Sequence, residues 1–319
     1  MIDTAFVLGA GLGTRLRPLT ENYPKPLIPI FNKPLITFAF DHLISLGVRS
    51  FVVNTHHAAE CFRQTFPDGH YRSHTIQFIH EPKLLGTAGG IKNAEPLLGE
   101  KPFLVYSGDL LTDLDIATLV ESHFANGHDV TLALRKTDLA APITLDGTRI
   151  IDIRNHFGHS SHFENFDYAN ISVWNPSVFK RLPAGKELSI APILTEWLHD
   201  KGNIGGVVLH ENEWFNIGSR KEYLETHQKI HHSNWRPAFP VDPQIPWPQK
   251  IHPGAEIDPS AQIDGFSAIG NGVKIHANTR IRDSILWPHS EIVSDSFLDR
   301  CIVHSTQKTT PGHLENLDI

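Results

Sequence analysis

Cysteine is scarce in this 319-residue chain, with only Cys61 and Cys301 present. Two distant thiols cannot make a disulfide framework, and a reduced, cytoplasmic setting is expected. Positive charge is in deficit too: 28 Lys and Arg stand against 35 Asp and Glu, a formal charge of -7. No global basic field exists to hold nucleic acid or an anionic membrane, so an anionic ligand must be met by a local cluster of cations. Apolar runs long enough to span a membrane are missing. The start, MIDTAFVLGAG, has no basic n-region and enters a strand-like run at once, so no signal peptide is expected. Histidine is plentiful, at 21, yet no spacing resembles a metal-ligand set; surface and helix-end positions are the expectation. What is present is an apolar fraction of 40%, enough for a real core in one large domain or two ordinary ones.

Three regions follow one another. In residues 1–230, short apolar runs such as AFVL, SFVVN, TIQFI, KPFLVYSGD and DVTLALR alternate with helix-period segments. In the segment KPLITFAFDHLISLG, Ile36, Ala39, Phe40, Leu43 and Ile44 share one helical face and Gly47 is a stop; GTAGGIKNAEPLLG and residues 115–126 read as helices too. Such alternation predicts an α/β fold with a mostly parallel sheet covered by helices. Asp146-Gly147 between strand-like arms signals a hairpin, and Ser219 with Glu222 forms a capping-box pattern. Residues 231–250 hold five prolines and read as an extended connector. Trp235, Phe239, Ile245 and Trp247 in it are expected to pack on a surface.

From residue 251 the period changes. Ile251, Ile257, Ile263, Ile269, Ile275 and Ile281 recur every six residues, with small or β-branched residues two places before most of them. Neither a helix nor a flat strand gives that period. A hexapeptide solenoid does, each repeat forming one side of a triangular coil with its isoleucine on the axis. This is similar to the left-handed β-helix of hexapeptide-repeat proteins. Residues 251–305 hold about three coils, the register loosens after Trp287, and 306–319 read as a loose end or cap.

The densest chemical signal is GAGLGTRLRPLTENYPKPL, residues 9–27. Gly9, Gly11 and Gly13 do not have the dinucleotide spacing G-x-G-x-x-G, Pro18 interrupts the place of the cofactor helix, and Pro29-Ile30 stand where an acidic residue is needed. A phosphate cradle remains. Bare glycine backbone admits close N–H contact with a polyphosphate, Arg15 and Arg17 supply planar forks, and two prolines restrict the backbone around Lys25. The competing reading of these residues alone is a tight turn followed by an exposed basic loop.

The longer stretch GAGLGTRLRPLTENYPKPLIPIFNKPLI resembles the signature loop of the sugar-1-phosphate nucleotidylyltransferases. EPKLLGTAGGIKNA (81–94) resembles that family's base-binding segment, VYSGDLL (105–111) its strand-end metal aspartate, and WFNIGSRKEYLETHQ (214–228) its late W-x-D-x-G-T segment. A proline-rich connector and short β-helix follow the catalytic domain in its mannose-1-phosphate guanylyltransferase branch, so the resemblance covers most of the chain. It implies a Rossmann-like mixed sheet of the nucleotide-diphospho-sugar transferase type followed by a short left-handed β-helix. The implied reaction joins a nucleoside triphosphate and a sugar 1-phosphate with Mg²⁺, GTP and mannose 1-phosphate being favoured.

The resemblance implies catalytic roles for Arg15, Lys25 and Asp109. It implies nucleotide contacts from Leu8, Gly9, Ala10, Gly11, Gly13, Thr14 and Arg15 in the turn, and from Glu81, Gly86, Thr87 and Gly108. Sugar contacts fall to Asn170 and Gly108, although an ordinary core strand is an equal reading of FDYANISVWNP around Asn170. The metal ligands would be Asp109 and Asn216. Asn216 departs from the family, which has aspartate there, and the stretch IIDIRNHFGHSS lacks the family's V-E-K-P lysine, leaving the sugar-phosphate clamp unassigned. Because L-G-T-A, here residues 85–88, also occurs in the family's uridylyltransferases, UTP stands as an alternative to GTP. A regulatory homologue that binds a nucleotide sugar without turnover is a second reading, and a hexapeptide acyltransferase, suggested by the solenoid alone, is a third. The solenoid is expected to serve assembly into a homo-oligomer.

Overall fold

The computed structural model describes residues 2–137, 142–159, 161–210, 213–244, 246–306 and 308–319. Ile245 of the connector lies outside them. The chain divides into two compact units, Met1–Gly11 with Phe38–Trp214, and Leu12–Thr37 with Phe215–Ile319.

The first unit is built on a ten-stranded sheet. Its strands are β1 (Thr4–Leu8), β2 (Ser50–Thr55), β3 (His70–Tyr71), β4 (His74–His80), β5 (Phe103–Ser107), β6 (Val130–Arg135), β7 (Ile143–Asp146), β8 (Arg149–Ile153), β9 (Asn165–Trp174) and β10 (Ile204–Val208), in the order β7-β8-β10-β6-β9-β5-β1-β2-β4-β3. The four strands β5-β1-β2-β4 are mutually parallel. β6 and β10 are parallel to each other, while β9 runs antiparallel to β5 and β6. The sheet is thus mixed, with less parallel pairing than the strand–helix alternation predicts. Two of the antiparallel pairings come from short connections, β7 with β8 across Gly147-Thr148 and β3 with β4 across Arg72-Ser73, since loops that short join only antiparallel neighbours.

The central strands β1, β5 and β6 are buried nearly along their whole length, on both faces of the pleat. Phe6, Val52, Phe103, Val105, Leu132 and Trp174 are buried in one core cluster. Each such side chain contributes about 1.5–3 kcal/mol by leaving water. The helices are α1 (Ile36–Ser45), α2 (Ala59–Thr65), α3 (Gly86–Asn93), α4 (Glu95–Leu98), α5 (Ile116–Asn126) and α6 (Ile190–His199). α5 begins where the Asp115 carboxylate accepts the N–H groups of Ala117 and Thr118, and ends at Gly127 in the left-handed region. The single helix expected over GTAGGIKNAEPLLG is two, because Pro96 occupies the first turn of α4 and cannot continue α3. His42 and His123 fall in the last turns of α1 and α5, helix-end positions as expected, but they and His128 are buried, against the expectation of surface histidines. His42 Nδ1 pairs with the Tyr106 hydroxyl at 3.2 Å, and burial holds that ring down to about 3.

The second unit contains α7 (Arg220–Ser233), capped by the Ser219 hydroxyl and ended by Asn234 at φ 52. The connector is packed, as its aromatics predict: Phe239 and Trp247 are buried, and the Trp235 and Trp247 rings meet edge to face at 5.8 Å. Beyond it come ten short parallel strands, β11 (Glu256–Ile257), β12 (Gln262–Asp264), β13 (Ala268–Ile269), β14 (Lys274–Ile275), β15 (Arg280–Arg282), β16 (Ile285–Leu286), β17 (Glu291–Ile292), β18 (Ser296–Asp299), β19 (Ile302–Val303) and β20 (Gly312–Glu315). They form three parallel sheets, β11-β14-β17, β12-β15-β18-β20 and β13-β16-β19. Ile269, Ile275, Ile281, Leu286, Ile292, Leu298 and Val303 make their common core. Ile251 is 44% exposed, since it lies in the first turn of the winding with nothing before it to stack on. The ladders persist beyond Trp287, and β20 pairs in register with β18, so this part of the tail is an added strand. Among the described residues no helix is long and apolar enough to cross a membrane.

Candidate active site

β1, β2, β4 and β5 deliver their carboxyl ends to one edge of the first unit. Leu8 is opposite both Asn54 and Ser107, and Thr55 is opposite His80. The chain builds outward from β1 through β2 to β4, then returns to the other side of β1 as β5. Such a reversal opens a crevice at the carboxyl ends, and it falls between β1 and β5. Gly9 follows β1; Gly108 and Asp109 follow β5. The Gly108 N–H donates to the Leu8 carbonyl at 2.9 Å, which joins the two tips. The half-buried Asp109 accepts the Ser107 hydroxyl at 2.6 Å through Oδ1, fixing its carboxylate. On the far side of β5, Ile171 of β9 pairs with Tyr106, which brings Asn170 beside this tip. The β9 register against β6 shifts between Tyr168 and Ser172, and Asn170 sits there exposed at φ 62. An ordinary core strand does not describe it: a bulge turns this side chain outward, and asparagine tolerates the left-handed backbone.

Behind the Gly9 turn lies a buried polar chain. The Gly9 N–H donates to Asn54 Oδ1 at 2.8 Å, and Asn54 Nδ2 donates to Glu81 Oε1 at 2.8 Å. The second Glu81 oxygen accepts the Leu85 N–H at 3.0 Å. Glu81 has no solvent exposure, and both its carboxylate oxygens are engaged by the protein. Its observed work is therefore to fix the Gly9 amide and the turn into α3. That turn needs Gly86, whose φ is 67 and whose Cβ, if present, would stand 2.7 Å from the Leu188 carbonyl oxygen. The same carbonyl accepts the Ala88 N–H at 3.0 Å, so Gly86 and the half-buried Thr87 are held by residue 188.

In the second unit the turn continues through Gly13, at φ 59, into a 3-10 turn over Thr14–Leu16. The Thr20 hydroxyl donates to the Gly13 carbonyl at 2.8 Å. A Cβ on Gly13 would lie 3.2 Å from the Lys25 Cβ, so the turn and the lysine are immediate neighbours. Lys25 opens a second 3-10 turn, Lys25–Leu27, with buried Pro24 and Pro26 on either side. Arg15 is exposed, and its guanidinium lies against Gly218. Glu222 organises that segment: it accepts the Gly218 N–H at 2.9 Å and the Ser219 hydroxyl at 2.9 Å, and it also accepts an N–H of the Asn216 amide. Leu8, Gly9, Ala10, Gly11, Glu81, Gly86, Thr87, Gly108, Asp109 and Asn170 thus belong to the first unit, and Gly13, Thr14, Arg15, Lys25 and Asn216 to the second.

Residues 4–233 match the family described as Nucleotidyl transferase, and residues 246–312 match the GMPPB C-terminal domain. The chain belongs to the nucleotidyl transferase family. Among its relatives, a mannose-1-phosphate guanylyltransferase of Mycobacterium tuberculosis is 27% identical over 308 residues, 93% of this chain and 83% of that protein. A UTP--glucose-1-phosphate uridylyltransferase of Synechocystis is also 27% identical, over 97% of this chain and 84% of that protein. An N-acetylmuramate alpha-1-phosphate uridylyltransferase of Neisseria meningitidis is 29% identical over 67% of this chain and 93% of that protein.

A nucleotidyl transferase needs charge neutralisation, and the donor chemistry here fits a divalent cation. In the first unit Asp109 offers a carboxylate oxygen; in the second, and separately, Asn216 offers an amide oxygen, its N–H being turned to Glu222. Both are hard ligands of the kind Mg²⁺ takes one or two at a time. Among the described residues no group of three or more His, Cys, Asp or Glu is placed to hold a metal. Asn54, Leu188, Gly218 and Glu222 escape the motif reading. Asn54 ends the run SFVVN at a strand's carboxyl end, and that position was its signal; Glu222 was visible only as a capping residue.

Proposed function

We propose that this nucleotidyl transferase condenses a nucleoside triphosphate with a sugar 1-phosphate, giving a nucleoside diphosphate sugar and pyrophosphate. The observation that carries this reading is the joined tip of β1 and β5, where a buttressed Gly9 and the fixed Asp109 carboxylate follow the carboxyl ends of two paired parallel strands. In the reaction an oxygen of the sugar phosphate forms a new bond to the α-phosphorus, and the bond from that phosphorus to the β-phosphate oxygen breaks. Both reactants are anions, so positioning and pre-organised charge supply the acceleration.

Backbone of Leu8, Gly9, Ala10, Gly11, Gly13 and Thr14 would cradle the nucleotide. Arg15 would meet the β- and γ-phosphates and stabilise the leaving pyrophosphate. Lys25 would lie between the α-phosphate and the incoming sugar phosphate. Gly86 and Thr87 would face the base, with Glu81 acting from behind by holding the turn. Gly108 and the outward-turned Asn170 would meet the sugar. Asp109 and Asn216 would hold Mg²⁺, which when bound draws charge from the phosphates. On this reading residues 1–230 form the catalytic part, 231–250 the connector, 251–305 a left-handed β-helix that also serves self-association, and 306–319 its tail.

GTP with mannose 1-phosphate is the favoured pair, supported by the match of residues 246–312 to the GMPPB C-terminal domain. UTP is the second reading, supported by the Synechocystis uridylyltransferase, which aligns with 97% of this chain. Four triphosphates assayed against several sugar 1-phosphates, with pyrophosphate release as readout, decide between them. A catalytically weak regulatory homologue, suggested by Asn216, would release none with any pair.

A further inference from the structure

The segment 23–32, which carries Lys25, is gripped by residues far along the chain within its own compact unit. The Tyr23 ring meets the Trp287 ring at a tilt of 55°, with centroids 5.3 Å apart. Trp287 is 5% exposed, and its backbone N–H donates to the Val303 carbonyl at 2.8 Å, which locks it into the C-terminal ladder. Its indole N–H donates to the Tyr223 hydroxyl at 3.3 Å, and that hydroxyl donates to the Pro29 carbonyl at 2.6 Å. Further on, Asn32 Nδ2 donates to the carbonyls of Gln249 and Ile269, at 2.8 and 2.9 Å. The lysine segment is therefore held on both sides of Lys25 by α7 and the parallel strands.

We propose that the C-terminal parallel-strand region positions Lys25, with Trp287 as the positioning residue that sets the lysine's place through Tyr23 and the Tyr223–Pro29 bond. This rests on the proposed role of Lys25 and gives the C-terminal region a part in turnover beyond assembly. A lysine stem is flexible, and its ammonium is placed only as well as its Cα is. Pro24 and Pro26 stiffen the segment, but stiffness does not fix location; the Trp287 wall does. A misplacement of about 1 Å at a reacting group can cost 10²-fold.

The experiment uses the full chain and compares Trp287→Ala, Trp287→Phe, Tyr23→Ala and Lys25→Ala, each checked for native circular dichroism. Two readouts are taken: pyrophosphate release, and the rate at which an amine-reactive acetylating reagent labels Lys25, read by peptide mass spectrometry against the exposed Lys101. Trp287→Ala is expected to lower kcat roughly tenfold or more with little change in KM, and Trp287→Phe, which keeps the ring wall, to stay within about threefold. In a Lys25→Ala background, Trp287→Ala should cost less than about twofold, because its effect passes through the missing ammonium. The labelling rate of Lys25 should change by roughly threefold or more in Trp287→Ala, as loosening of a local segment requires. Tyr23→Ala, which leaves the buried Trp287–Tyr223 pair intact, should reproduce both effects if the larger change prevents folding. Equal losses with and without Lys25, or an unchanged labelling rate, overturn the inference. Altered labelling in a protein that turns over no substrate pair upholds the positioning and rejects the proposed function instead.

Discussion

Arg15 and Gly218 are in direct contact: a Cβ placed on Gly218 would stand 3.0 Å from three guanidinium atoms of Arg15. That distance is tighter than nearly all carbon contacts, so a side chain at 218 would make the guanidinium give by a few tenths of an ångström. Gly218→Ala should push Arg15 off its rotamer at a cost of about 0.5–1.5 kcal/mol. The expected loss in kcat/KM is roughly 3–10-fold. Arg15→Ala should cost about 10²–10³-fold, and adding Gly218→Ala to it should change nothing further. A full additional loss in the double variant would show that Gly218 acts elsewhere.

Glu81 offers a second test. Glutamine at 81 keeps the shape but turns one acceptor into a donor facing either the Asn54 amide or the Leu85 N–H. One buried polar group is left unsatisfied, a penalty of about 1–3 kcal/mol. The unfolding temperature should fall, and activity should decline alike for all triphosphates used. A selective change in base preference would instead place the carboxylate on the nucleotide.

Acid stability follows from two buried rings. Burial lowers His42 to about 3 and His227 to about 4 from an ordinary 6.5, the charge of Asp115 opposing the first shift and a bond to the Tyr223 carbonyl the second. Below about pH 6.5 the unfolded chain takes up protons that the folded one refuses, so their contribution is complete above that pH and falls away as pH drops toward 4. Each ring contributes up to about 1.4 kcal/mol per pH unit in that window. Denaturant midpoints should drop between pH 7 and pH 5, and His227→Gln should make the drop smaller. An unchanged pH dependence in the variant would contradict this.

Much of this was legible in the sequence because it is periodic or local. Six-residue isoleucine spacing marked the parallel ladders from Ile257 to Ile281, and the runs AFVL and KPFLVYSGD located the β1 and β5 tips. What escaped depends on partners distant in the chain. Glu81 reads as a ligand carboxylate until Asn54 and Leu85 are seen to occupy it. Trp287 reads as the place where a repeat loosens, and nothing local reveals the Tyr23 ring against it. Asn170 shows its outward aim only through a register shift between β9 and β6. The grouping of residues 12–37 with the C-terminal region is likewise a tertiary fact that no motif encodes.

The most direct test of the account is pyrophosphate release by Asp109→Asn, a substitution that keeps size and hydrogen-bond reach while removing the charge, measured with the best substrate pair across a Mg²⁺ titration. The account predicts a fall of roughly 10²-fold or more at saturating triphosphate and a shift to higher Mg²⁺ demand. Turnover within about threefold of the parent protein, with the same Mg²⁺ dependence, would contradict it.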